Sequence, residues 1–154
     1  VIICVDFDDT IVSQAGRAYE DADSPLRFMP GAKEGLRALK HAGHMLILFS
    51  GRANRAILDD PNLDPLVRAG VKRIDHDRWA RMRFINEARF SQMVKFVNDE
   101  LPGMFVSVDD GRQGKPNCDL IIDDKALRFG PGMLGASWPQ IAGMWGEPVY
   151  NRKG

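Results

Sequence analysis

Three acids follow directly on the first apolar run of this chain: "VIICV", residues 1–5, leads into Asp6, Asp8 and Asp9. Side chains two apart on an extended segment project to the same side, so Asp6 and Asp8 are placed to face one reacting group. Two carboxylates so close repel each other, and a hard dication held by oxygen ligands keeps both ionised. Mg²⁺ is the cation this donor set predicts. A later run, "LII" over residues 120–122, ends in Asp123 and Asp124, and Asp123 arriving on another strand would complete the metal shell. The run "MLILF", residues 45–49, ends in Ser50, Gly51 and Arg52. A small hydroxyl and a glycine amide suit phosphate oxygens, and Lys115 would neutralise their charge. Each part matches a task in phosphoryl transfer. One carboxylate attacks phosphorus, and a second protonates the leaving oxygen and then activates water. Metal, lysine and amides stabilise the charge on the equatorial oxygens.

Ligands of open parallel sheets bind outside the carboxyl ends of the strands, so these acids need a sheet behind them. Four apolar runs predict its strands: residues 1–5, 45–49, 104–108 ("MFVSV") and 120–122. Helical stretches between them predict an α/β fold, a three-layer Rossmann-like sandwich with a central parallel sheet covered on both faces. Ala32, Leu36 and Leu39 at helical spacing, with Gly43 as the stop, predict a crossover helix. "DPLVRAG" predicts a short helix with Asp64 as N-cap, Pro65 first and Gly70 last, after which Val71 to Ile74 is expected to begin another strand. Phe90, Met93, Val94, Val97 and Leu101 form one helical face that Pro102 and Gly103 end. The tail is read as loop, with a short amphipathic turn around Trp138 to Trp145.

At 154 residues the chain is one domain with a real core. Its 21 basic and 21 acidic side chains cancel, which removes any global pull toward nucleic acid or an anionic membrane. Cys4 and Cys118 are too few for a disulfide scaffold and read as small core residues of a reducing compartment. No apolar run reaches membrane-spanning length, and a cytoplasmic location is expected. The stretch containing Arg68, Lys72, Arg73, Arg78, Arg81, Arg83, Arg89 and Lys95 reads as a solvated helix face. The sharper reading is an electropositive rim for a polyanion such as a nucleotide or a nucleic-acid end. The histidines show no metal spacing, and Trp138 and Trp145 read as packing residues.

Taken together, the motifs resemble those of the haloacid dehalogenase-like (HAD) superfamily of phosphohydrolases. Its Asp-x-Asp-x-Thr motif is matched by Asp6-Phe7-Asp8-Asp9-Thr10, its strand ending in Ser or Thr by Ser50, and its lysine and late acidic pair by Lys115 and Asp123-Asp124 in "GKPNCDLIIDDKA". The resemblance covers residues 1–128 in the correct order and is similar to small bacterial and phage members ending in "IDDKA" or "IDDRA". It implies Asp6 as nucleophile, Asp8 as acid/base and as metal ligand through its backbone carbonyl, and Asp123 as metal ligand with Asp124 supporting the site. Thr10, Ser50, Gly51, Arg52 and Lys115 are the expected phosphate-binding set. The rival pairing takes Lys95 and Asp109 as the third and fourth motifs; Asp109-Asp110-Gly111 otherwise reads as a turn. Where the family commonly has Gly, this chain has Asp9, which adds charge beside the site.

HAD enzymes often carry a cap domain after the first or second motif. Residues 13–28 are too few for the first type, and residues 52–114 must supply core elements. A nearly capless protein is expected, closed by a flap at 13–28, by residues 75–90 or by a neighbouring subunit in an oligomer. The reading is therefore a Mg²⁺-dependent phosphatase acting on a small phosphorylated substrate through an aspartyl-phosphate. Phosphotransfer to another acceptor and a polynucleotide-end phosphatase are variants on the same fold, and no membrane partner is expected. A receiver-like or non-catalytic Mg²⁺-binding module is the competing class, but a receiver needs a phospho-accepting Asp where this chain has Ser50.

Overall fold

The computed structural model describes residues 1–53, 58–111, 116–124 and 138–145. The apolar runs become four parallel strands: β1 (Ile2–Val5), β2 (Met45–Leu48), β3 (Ser107–Val108) and β4 (Leu120–Ile122), in the order β3-β2-β1-β4. Among the described residues the helices with both ends in view are α1 (Ala32–His41), α2 (Pro65–Arg68), α3 (His76–Glu100) and α4 (Trp138–Trp145). The fold is α/β with an open, all-parallel sheet.

Register decides which residues meet. Ile3 lies opposite Leu46 and Leu120, and Val5 opposite Leu48 and Ile122, so these six share one face. With Leu36 and Leu39 of α1, Met93 and Val97 of α3, and Trp138 and Ile141 of α4 they build the core. On the opposite face Cys4 is buried, Ile2, Ile47 and Ile121 are half-buried, and Met45 is exposed. The sheet of the predicted sandwich is therefore present, while the described helices feed the core on one face. The reason is topological: β1 to β2 and β2 to β3 step the same way along the sheet, and right-handed crossovers put both connecting helices on the same side. The return from β3 to β4 crosses to the other side of β1 through residues 109–119, which hold no described helix.

Local signals work as expected in α1 and α2. Ala32, Leu36 and Leu39 are buried, and Gly43 ends the helical turn with φ 87°. Asp64 caps α2 by accepting from the Leu66 N–H at 2.9 Å. No strand begins at Val71, because the Val71 and Lys72 N–H groups both turn back to the Leu66 carbonyl, at 2.9 and 3.1 Å. Helix α3 starts at His76 rather than near Phe90, with the Asp75 carboxylate accepting from the Arg78 N–H at 3.0 Å. Its first half escapes an apolar pattern because two of its buried positions are Asn86 and Arg89. The third strand is shorter than its apolar run, since Met104 is drawn into the turn after α3, its N–H donating to Leu101 at 3.0 Å. The turn expected around Trp138 is the full helix α4.

Residues 13–28 carry neither helix nor strand and form a strap. Arg17 folds it on itself by donating to the carbonyls of Asp21, Ser24 and Pro25 at 2.8–3.1 Å. Among the described residues no helix is long and apolar enough to cross a membrane.

Candidate active site

The carboxyl ends of β1 and β4 lie side by side, and the Asp6 N–H donates to the Ile122 carbonyl at 2.9 Å. That pairing brings Asp6, Asp123 and Asp124 together. Each offers a carboxylate oxygen within 4.8 Å of the others. Burial first, then the carboxylates of Asp123, Asp8 and Asp124, push Asp6 up from 3.8 to about 7, against the pull of the Phe7 N–H hydrogen bond. Three half-buried carboxylates that can each turn an oxygen to one point could hold a hard divalent cation.

Thr10 ties the two strand ends together rather than facing out to a phosphate. It is buried, its Oγ1 accepts from the Asp124 N–H at 3.0 Å, and its carbonyl accepts from the Trp138 indole at 2.7 Å. Asp9 gains an account of its own. It has φ 56°, a left-handed backbone that glycine adopts freely and Asp tolerates better than most, and its carboxylate accepts from the Gln14 N–H at 2.8 Å. The acid at this position serves the turn into the strap.

Asp8 points elsewhere. Its carboxylate meets Arg52, with Nε at 2.9 and 3.1 Å from the two oxygens and Nη2 at 2.6 Å from Oδ1. Arg89 Nη2 also donates to Oδ2, at 3.3 Å. Arg52 is expected at the phosphate; in the structure every nitrogen of its guanidinium has a protein partner, with Nη1 donating to the Arg89 carbonyl and to Gln92 Oε1 at 3.0 and 3.1 Å. It lies over the Phe7 ring, 5.0 Å from the centroid, and is only 2 % exposed. Such a buried cation demands a carboxylate partner, and Asp8 is the one the β1 end presents.

Ser50 and Gly51 leave β2 at the same end of the sheet. Ser50 is buried and caps the short 3-10 turn Gly51–Ala53, its Oγ accepting from the Arg52 N–H at 3.3 Å. Gly51 is exposed, with open space where a side chain would stand. Lys115 lies outside the described residues. Of the rival pair, Lys95 is exposed on α3 and pairs with Asp99 at 2.6 Å. Asp109 follows β3, separated from β1 by β2, and its carboxylate accepts from Gly111 N–H in the turn read from the sequence.

Sequence reasoning missed Arg89 by counting it among solvated arginines. Arg68, Lys72, Arg73, Arg78, Arg81 and Arg83 are indeed exposed, whereas Arg89 is buried. The signal was its spacing: Asn86, Arg89, Met93 and Val97 recur at helical intervals on one buried face. A charge on that face needed a partner. No protein-family model, curated protein or solved structure matches the chain.

Proposed function

We propose that the protein is a Mg²⁺-dependent phosphomonoesterase of the haloacid dehalogenase type, without a large cap domain. The observation that carries this reading is the gathering of Asp6, Asp123 and Asp124 at the sheet end from which Asp8 and the open Gly51 also emerge. In this reading Asp6 and Asp123 hold the metal with support from Asp124 and from the Asp8 carbonyl, and the bound cation supplies charge stabilisation to the phosphoryl oxygens. Asp6 attacks phosphorus; as that P–O bond forms, the bond to the leaving oxygen breaks and Asp8 delivers a proton to it. Asp8 then takes a proton from the water that displaces Asp6, releasing inorganic phosphate and restoring both carboxyl groups. Gly51, beside Ser50, leaves room for the phosphate to approach backbone amides, and Lys115 is assigned to its charge by the motif order alone.

Phosphate release from a panel of phosphomonoesters, with and without Mg²⁺, tests the reading. Metal-dependent release that disappears in Asp6→Asn, a change that keeps the side-chain volume, is the expected result. Release that survives unchanged in Asp6→Asn overturns the mechanism.

A further inference from the structure

Arg89 sits in the middle of α3 with 5 % of its surface exposed. Charged side chains are almost never so buried unless paired. Arg52 holds both oxygens of the Asp8 carboxylate, with Nε 2.9 Å from Oδ2 and Nη2 2.6 Å from Oδ1. Arg89 adds a second guanidinium on Oδ2 at 3.3 Å, so that this oxygen is shared by two cations. Behind Arg89 stands the strap. The Tyr19 ring lies 4.1 Å from the Arg89 guanidinium carbon, and its hydroxyl donates to Asn86 Oδ1 at 2.7 Å, one helical turn before Arg89. Tyr19 is 48 % exposed, so packing alone would not fix its rotamer, whereas Asn86 is 7 % exposed and rigidly placed. A second tether runs in parallel: Gln92 accepts from Arg52 and donates to the Ser24 carbonyl of the strap at 2.9 Å.

We infer that Arg89 is a positioning residue for Asp8, held in place by Tyr19 of the strap. The inference rests on the phosphatase reading, because it assigns Asp8 to proton transfer. Residues 13–28 then act on the reaction through the orientation of one carboxylate, without touching the substrate. Small misplacements of a proton donor are costly, about 100-fold for 1 Å in unfavourable cases.

The test compares kcat/KM for an alkyl phosphate, whose leaving oxygen needs the proton, with that for p-nitrophenyl phosphate, whose leaving group hardly does. Arg89→Ala is expected to lower the alkyl value by about 10–100-fold through kcat, with KM changed less than about twofold, and the aryl value by much less. Arg89→Lys should recover part of the loss, and Tyr19→Phe, which keeps the ring but drops the Asn86 hydrogen bond, should show the same bias in smaller measure. If circular dichroism shows Arg89→Ala unfolded, Arg89→Lys and Tyr19→Phe carry the comparison. Equal losses on both esters, or none, in a wild-type background that turns over overturn this inference alone. Absence of metal-dependent turnover in the wild type overturns the phosphatase reading and this inference with it.

Discussion

The two halves of the site are built on opposite electrostatic plans. Toward β4, Asp6, Asp123 and Asp124 crowd like charges together, and Asp6 is driven up to about 7 by its burial first and by those neighbours second. Toward α3, Asp8 is met by Arg52 and Arg89, and the opposite charges pair. The first half is the one a cation would suit; the second carries its cations in its own side chains. Two carboxylates only two residues apart, Asp6 and Asp8, thus receive opposite environments. β1 ends at Val5, so the same-side rule of an extended strand does not bind Asp6 and Asp8, and the neighbours that each recruits do the rest.

Breaking the acidic half should have the largest effect. Asp123→Asn is expected to weaken Mg²⁺ binding and turnover by more than the roughly 10–100-fold typical of an outer partner of a metal site. Calorimetric titration with Mg²⁺ alone checks this without relying on activity. Affinity close to wild type would mean that the acids do not act as a metal site.

The same half makes a prediction about pH. The folded, metal-free protein holds the Asp6 proton more tightly than the unfolded chain does, since burial and the neighbouring acids raise it from 3.8 to about 7. The associated stability is fully present below pH 3.8 and is lost as pH rises through about 7. This group's share of the decline is at most about 1.4 kcal/mol per pH unit in that window. Melting temperatures of the metal-free protein should show this downward component, and Asp6→Asn or added Mg²⁺ should flatten it. An Asp6→Asn profile parallel to wild type would remove the electrostatic distinction between the halves.

Breaking the paired half costs folding energy instead. Arg52→Ala strips the main partner from Asp8 and removes donors from Arg89 and Gln92, for an expected loss of about 2–3 kcal/mol, since Asp8 keeps some contact with water. Urea denaturation measures it. A more stable Arg52→Ala protein would show that the arginines are held there against folding rather than for it.

How much of this was readable beforehand follows from the same contrast. Acids at the ends of apolar strands are conspicuous, because nothing in a buried sheet calls for them, so Asp6, Asp123 and Asp124 could be picked out and the neighbouring strand order only had to bring them together. The arginine half was hidden. Arg89 sits in a polar stretch of helix where arginine is ordinary, and its partner lies 81 residues away in sequence. Arg52 could be placed at the sheet end but not aimed, because a long flexible side chain is directed by what surrounds it. The strands, α1 and the cap of α2 were legible from local chemistry. The first half of α3 was not, since burying Asn86 and Arg89 erased the apolar period that announces a helix. The gathering of the described helices on one face depended on the order of strands, which no local pattern encodes.

The packing of Trp138 has one more consequence. Its ring presses against α1 so closely that a β-carbon on Gly35 would come within 2.5 Å of it, and its indole N–H reaches the carbonyl of Thr10. The residue is therefore an optical probe wired to the loop that follows Asp6. Its fluorescence, isolated from Trp79 and Trp145 by replacing those two with Phe, would report in real time whether the backbone at Thr10 stays still or shifts when phosphate or Mg²⁺ is added.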